Sequence, residues 1–386
     1  MTVGRRLRIA VLNRHFGKRF GGAEHYSAAI AEQLARHHEV HVFAQEIEHQ
    51  HPGFHYHRVW RPLAKPRWLN QLWYALATWW LTRTGFDVVH SHENTWHGDI
   101  QTIHVRPFRI GLFHQRHGWR KALRWLSLIT SPRLLSYWWL EWARMRPRPH
   151  RRIVATSDAV RAEILLAYPA SAPGLETIPP GVAIPTAQAD PQEMRLHLQL
   201  PESAPLALFV ANDYEKKGLP TLLQAMVGLP KLHLAVVGNP KQQGGFEQQV
   251  RALGLEGRVH FLGALTDVGP AYDAADFLVH PTTEDTYAMV VLEAMAHGLP
   301  VVVSGPRYCG IAIDLIHRQQ ALILNDPRDA PMLIEQMSHL LSTPLLQQQL
   351  RMAGREFAHA RSWQTVAGQY DSLLQKITQN MNGIHE

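Results

Sequence analysis

Short β-branched runs alternate with helix-length segments along this chain, in two consecutive series. The first series reads LRIAVLN, HEVHVFA, FHYHRV, FDVVHSH, IQTIHV and RIVATS; the second reads LALFVAN, LHLAVVG, VHFLG, FLVHP, PVVVS and ALILN. Apolar strands separated by helices belong to parallel sheets covered on both faces, because crossover helices bury each strand from both sides. Two series therefore predict an α/β chain of two Rossmann-like domains, and 386 residues are too many for one ordinary core. The proline-rich stretch IPPGVAIPTAQADPQ, residues 178–192, starts no periodic element and marks the seam. The expected domains are 1–182 and 183–361. An amphipathic helix within 362–386 should pack back on the first.

In open parallel sheets, ligands sit beyond the carboxyl ends of strands, where helix N-termini offer free N–H groups. Four segments fall there: GKRFGGAEHY, SHENTWHGDIQTIHV, NDYEKKG and TTEDTYAM. Their convergence predicts a ligand cleft between the domains. Gly21 and Gly22 open the first helix and would let backbone N–H groups approach a phosphate, although glycine turns before helices are common. Lys216 and Lys217 follow a strand and precede Gly218, where a helix begins; taken alone they read as a solvated pair on a turn. Asp285 and Glu293 are acids in an otherwise apolar strand–helix–strand unit. A surface position would suit Glu293 less, because VVLEAMA is apolar on both sides. Among 25 histidines, His104 stands at the end of a central strand, with His90 and His92 in a neighbouring run. No Asp-x-Asp, P-loop or zinc spacing is present, so neither a metal nor another cofactor is expected.

Charge is distributed unevenly. Residues 1–152 hold 24 basic against 9 acidic residues, and 153–386 hold 15 against 23, giving net charges of +15 and −8. The richest part, 101–152, has twelve cations and one acid, Glu141, interleaved with Trp119, Trp125, Trp138, Trp139 and Trp142. Such a surface suits anionic lipid head groups; nucleic acid is the weaker reading, because no recognition motif accompanies it. The segment WLNQLWYALATWWL, residues 68–81, is too broken by polar residues to span a bilayer. Leu69, Leu72, Trp73, Leu76 and Trp80 recur in it at helical spacing, which predicts a helix packing that stripe on the core, with membrane contact by its aromatic edge as the alternative. A single cysteine, Cys309, allows no internal disulfide and favours a reducing compartment. It reads as a packing residue, since no partner base is evident. The apolar run in MTVGRRLRIAVLN is too short for a signal peptide and reads as a first strand.

The run DTYAMVVLEAMAHGLPVV resembles the signature of the retaining GT-B glycosyltransferases of family 4, in which an acid is followed after seven residues by Glu. The resemblance extends over nearly the whole chain. NDYEKKG, SPRLLSYWWLEWARM, VATSDAVRAEI, TIPPGV and YCGIAI look like counterparts in the lipopolysaccharide core glucosyltransferases. It implies a GT-B fold, with two Rossmann-like domains facing across a donor-binding cleft. The implied reaction moves a hexose from a UDP-sugar to a glycolipid or oligosaccharide acceptor, without metal, in the cytoplasm and peripherally on an anionic membrane through 101–152.

By the same resemblance, Lys216 and Lys217 clamp the diphosphate, Asp285 and His104 attend the sugar, and Glu293 binds the ribose. Gly21, Gly22, Tyr287, Ala288, Met289, Val290, Gly263 and Gly310 would line the donor, and Glu24, Asp99 and Arg106 the acceptor. Two positions depart from the pattern. Asp285 replaces Glu and is shorter by one methylene, with Glu284 beside it as an alternative register. Ala288 replaces Gly, which predicts a less close backbone approach. A nucleotide-sugar epimerase of the same fold, or a catalytically weak nucleotide-sugar-binding protein, are the alternatives.

Overall fold

The computed structural model describes residues 5–17, 22–63, 65–113 and 118–382. It forms two compact units, Met1–Gly181 with Trp363–Glu386, and Val182–Ser362. The first unit begins β1 (Arg8–Leu12), β2 (His15–Phe16), α1 (Gly22–Leu34), β3 (Glu39–Ala44), β4 (Glu46–Ile47), β5 (Phe54–Arg58) and α2 (Arg67–Thr82). It continues with β6 (Val88–Ser91), β7 (Ile100–Ile103), α3 (Phe108–Phe113), α4 (Trp119–Thr130), α5 (Pro132–Met145), β8 (Arg152–Ala155), α6 (Asp158–Ala167) and β9 (Leu175–Thr177). Its main sheet is parallel, in the order β5-β3-β1-β6-β7-β8-β9.

The second unit runs α7 (Pro191–His197), β10 (Leu206–Ala211), α8 (Leu219–Val227), β11 (His233–Gly238), α9 (Pro240–Ala252), β12 (Val259–Gly263) and α10 (Gly269–Ala274). Then come β13 (Phe277–His280), α11 (Met289–Ala296), β14 (Val301–Ser304), β15 (Leu322–Leu324), α12 (Ala330–Ser342) and α13 (Pro344–His359). The chain returns to the first unit as α14 (Trp363–Asn382). The second sheet is also parallel, ordered β12-β11-β10-β13-β14-β15. Along β10, Leu206, Leu208 and Val210 enter one core cluster, while Ala207, Phe209 and Ala211 enter the other. Strand side chains alternate between faces, so a run buried at every position must have a core on each side.

α14 is tied to α1 and β7 through Tyr370, whose hydroxyl meets Tyr26 Oη at 2.9 Å and Thr102 Oγ1 at 3.0 Å.

The predicted helix over 68–81 forms as α2, but its orientation corrects the core expectation. Its buried residues are Asn70, Gln71, Tyr74, Ala75, Thr78 and Thr82, whereas Leu69, Leu76 and Trp80 of the expected stripe are exposed. Polar partners explain the reversal. Asn70 and Gln45 exchange two amide hydrogen bonds of 2.9 and 2.8 Å, Gln71 donates to Asn94 O, and Tyr74 donates to Phe43 O. Each buried polar group therefore has a partner, and burying them costs little. Trp79 and Leu81 extend the outward apolar face, and α4 adds Trp119, Leu123, Trp125, Leu126 and Ile129.

The acid of the basic region faces inward. Glu141 accepts from Phe108 N, Arg109 N and the Tyr168 hydroxyl. Arg144 is also buried and donates to Gln101 Oε1 and Thr102 O. Among the described residues, no helix is long and apolar enough to cross a membrane.

Candidate functional site

Three loops of the second unit meet at the carboxyl ends of the neighbouring strands β10, β13 and β14. Backbone hydrogen bonds join them: Thr283 N to Lys216 O at 2.8 Å, Asp285 N to Tyr308 O at 2.8 Å, and Gly310 N to Asp285 O at 3.0 Å. A Cβ on Gly310 would collide with Thr286 O, so only glycine permits this approach. Gly218 caps α8 at φ 87° against Pro281 O, another position a side chain could not occupy.

Asp285 is the centre of this arrangement. Its Oδ2 accepts from Lys217 Nζ at 2.7 Å and from His280 Nε2 at 3.2 Å. Its Oδ1 accepts from Ala288 N at 2.8 Å and Tyr287 N at 3.2 Å, so the carboxylate also caps the entry to α11. Burial alone would raise the Asp285 pKa, but the His280 hydrogen bond and charge, with Lys217, hold it well below the usual carboxylate range. Both oxygens have two donors, which exhausts a carboxylate's accepting capacity. Glu284 is exposed and contributes its backbone carbonyl to Lys217 Nζ at 2.9 Å, so the acid that enters the loop is Asp285.

His280, one strand residue upstream of the loop, is a partner the sequence reading missed. Its buried Nδ1 has no hydrogen-bond partner among the described residues. Lys216 is exposed beside Lys217, and Met289 and Val290 form the first turn of α11.

Ala288 occupies the left-handed region at φ 66° and ψ 68°, directly before α11. This gives a different reason for glycine at that place from the close approach expected from the sequence: the backbone conformation itself favours it.

Four residues into α11, Glu293 accepts from the Tyr272 hydroxyl through Oε2 at 2.7 Å, and its Oε1 has no partner among the described residues. Burial and then the Glu293 charge raise the Tyr272 pKa well above its ordinary value. Tyr272 thus fixes the carboxylate while one oxygen stays available for hydroxyl donors. Tyr287 is buried in the core cluster, Gly263 ends β12 with φ 68°, and Cys309 is fully buried, its thiol pKa pushed up by burial.

In the first unit, His92 and His104 are the residues immediately after β6 and β7. His92 Nδ1 lies 3.0 Å from His104 Nε2, and His92 Nε2 is buried without a partner among the described residues. The Tyr26 ring meets His104 edge-on at 4.9 Å. Burial, then Arg144 and His90, lower the His104 pKa to about 3, so this imidazole is neutral at physiological pH. His90 is spent on Thr102 Oγ1 at 2.8 Å. Gly22 and Glu24 lie in the first turn of α1; Gly21 lies outside the described residues.

One expected acceptor residue, Asp99, is placed away from His104. Asp99 stands at the amino end of β7, opposite His104, where its Oδ2 accepts from Val89 N at 2.8 Å. Arg106 is held by Glu163, with Nη2 to Oε1 at 2.6 Å. For metals, Glu39, His41 and His55 have ligand atoms within 4.8 Å of one another. His41 there already bonds Glu39 at 2.7 Å and His57 at 2.9 Å.

Residues 20–184 match the family described as Glycosyltransferase Family 4, and residues 190–357 match Glycosyl transferases group 1. The lipopolysaccharide glucosyltransferase WaaG of Escherichia coli strain K12 is 27% identical over 245 residues, covering 60% of this chain and 63% of that protein. A D-inositol 3-phosphate glycosyltransferase of Corynebacterium diphtheriae is 26% identical over 234 residues, 56% of this chain and 53% of its own length. The crystal structure of WaaG, described as involved in lipopolysaccharide biosynthesis, superposes with a TM-score of 0.79 at 21% identity, over 95% of this chain and 99% of that one.

Proposed function

Because this chain belongs to the family 4 glycosyltransferases of GT-B fold, we propose that it moves a hexose from a UDP-sugar to a saccharide acceptor of the lipopolysaccharide-core type, with retention and without a metal ion. The observation that carries this reading is the Lys217–Asp285–His280 knot, with Lys216 beside it at the carboxyl ends of β10 and β13. In the proposed complex the two ammonium groups stabilise the diphosphate as negative charge develops on it, aided by the free N–H groups at the start of α11. Glu293, held by Tyr272, accepts the ribose hydroxyls. Asp285 positions Lys217 and α11; direct contact with the sugar would require it to exchange one of its present donors. A front-face reaction, with the leaving phosphate taking the acceptor proton, needs no protein nucleophile.

The acceptor belongs to the first unit, beside His104 and Glu24. The enzyme would work in the cytoplasm, attached to an anionic membrane by the aromatic and basic surface of 101–152, to which the outward face of α2 adds. A weak nucleotide-sugar binder is the second reading, favoured by the saturated Asp285 carboxylate and the constrained Ala288.

The test is nucleoside diphosphate release from UDP-, GDP- and ADP-sugars, with and without saccharide acceptor, in the presence of a chelator. Acceptor-dependent release that falls at least ~100-fold in Lys217→Ala supports the clamp. Wild-type rates in both Lys217→Ala and Lys216→Ala would remove it. Release that ignores every acceptor supports the binder, and an epimerised sugar recovered without acceptor supports an epimerase.

A further inference from the structure

The loop joining α5 to β8 reads RPRPHRR, Arg146 to Arg152, and borders a cavity of about 340 Å³ at the amino end of β8. Arg146, Arg148, Arg151 and Arg152 line it, with Ser171 and Gly174 opposite. Arg151 is 4% exposed, and its guanidinium bonds only to carbonyl oxygens: those of Trp96, Gly98, Ala143 and Arg144. Two of these close the last turn of α5, whose partial negative charge is the main local compensation. Among the described residues, no carboxylate lies within ion-pair distance of Arg146, Arg148 or Arg151, and Arg152 reaches Glu176 only at 3.9 Å. Asp99 is the acid that Arg151 feels, and that carboxylate is already engaged by Val89 N–H. Burial, followed by the charge of Arg148, lowers the Arg151 pKa to about 10.

Four like charges around one concave space, one of them buried, repel each other unless an anion enters. Pro147, Pro149 and Pro173 also line the cavity, and the fixed φ angles of Pro147 and Pro149 restrict the backbone that carries Arg146 and Arg148. Planar guanidinium groups match the oxygens of a phosphate in paired hydrogen bonds.

We propose that this cavity is a phosphate-binding site, taking a phosphate mono- or diester at the opposite end of the first sheet from His104. Two sources supply that chemistry, an anionic lipid head group or a soluble phosphate ester. Trp142 lies under Arg146 at 5.6 Å, and Trp139 is exposed on the same helix, which suits a head group at a membrane surface. The site deepens the membrane reading and does not depend on the donor loops.

The experiment titrates the full chain calorimetrically with inorganic phosphate and glycerol 3-phosphate at constant ionic strength. It then measures binding to phosphatidylcholine vesicles containing a minor fraction of phosphatidic acid. The variants are R146Q/R148Q, whose side chains are exposed, the charge-matched control R36Q/R58Q outside the basic surface, and K216A/K217A. The expected result is an affinity loss of about tenfold or more in R146Q/R148Q alone for at least one phosphate probe. A loss confined to vesicles assigns the site to a lipid head group, and a loss confined to the soluble probes assigns it to a free ester.

Equal affinities of wild type and R146Q/R148Q for every probe, or an equal loss in R36Q/R58Q, overturn the proposal. So does phosphate binding that vanishes in K216A/K217A while surviving in R146Q/R148Q, because the anion then belongs to the donor loops. Vesicle binding that ignores Arg146 and Arg148, with the soluble probes also bound equally by wild type and R146Q/R148Q, removes the cavity and leaves the aromatic-surface reading standing.

Discussion

Asp285 accepts from four donors contributed by three segments, so its loss should be felt as structure as well as chemistry. In Asp285→Asn one accepting oxygen becomes a donor, which must face either Lys217 and His280 or the backbone N–H groups of Tyr287 and Ala288. Urea unfolding of the second unit should show a destabilisation of about 1–3 kcal/mol, the cost of leaving buried polar groups unpaired. In a double-mutant cycle with Lys217→Ala, the two effects should couple by ~0.5–3 kcal/mol; strict additivity would mean that the 2.7 Å contact carries no stability. Ala288 gives the opposite expectation. At φ 66° an L side chain is strained, so Ala288→Gly should stabilise the second unit by about 1 kcal/mol despite glycine's more flexible unfolded chain. A lower unfolding midpoint in that variant would show that the αL geometry is not costly here. At this scale the resemblance to the family signature singled out Lys217, Asp285 and Glu293. It could not show that Asp285 is saturated, that His280 bonds Asp285 or that Tyr272 bonds Glu293, because side-chain contacts of this kind leave no period in a sequence.

At the scale of elements, all twelve β-branched runs became strands, the inner ones buried on both faces and β5 and β12 at sheet edges only partly buried. β9 was not legible: three residues, Leu175–Thr177, ending against prolines carry no period. α2 was legible as a helix but not in its orientation, because hydrophobic periodicity says which residues share a face and not which face turns inward. The buried face was chosen by reciprocal amide bonds between Asn70 and Gln45, residues that sequence polarity assigns to solvent. Two substitutions separate these roles. Asn70→Leu leaves the Gln45 amide buried and unpaired and should destabilise the first unit by ~1–3 kcal/mol in denaturant titration. Leu76→Ser with Trp80→Ser removes exposed apolar surface; unfolding should be unchanged while co-sedimentation with anionic vesicles falls. If the double variant unfolds as readily as Asn70→Leu, the outward face is covered within the native molecule. The earlier expectation for the basic region also changes. Arg144 belongs to the interior, so its removal tests folding, whereas Arg146 and Arg148 test binding.

For the whole molecule, acid should act unequally on the two units. Burial lowers the pKa values of His90, His97 and His104 to about 3 and that of His92 well below its ordinary value, and all four lie in the first unit. Below pH ~6.5 the unfolded chain binds protons on these imidazoles that the folded unit refuses. Their stabilisation is therefore complete above that pH and falls as pH drops toward 3, by up to about 1.4 kcal/mol per pH unit for each histidine. Asp99 works in the other direction: burial raises its pKa, so it favours folding at low pH and loses that contribution as pH rises through its folded value. It is one group against four. In the second unit, His233, His260 and His317 are also lowered but are less buried, and Asp285 loses its contribution only below the ordinary aspartate pKa of ~3.9. All twelve tryptophans belong to the first unit, so tryptophan fluorescence follows that unit while calorimetry follows both. Between pH 7 and pH 5 the fluorescence midpoint should fall further than the calorimetric transition it does not report. Equal shifts of the two would mean that the histidines after β6 and β7 take up protons without unfolding. That outcome would open the His92–His104 pair to acid–base work that the neutral, buried arrangement excludes.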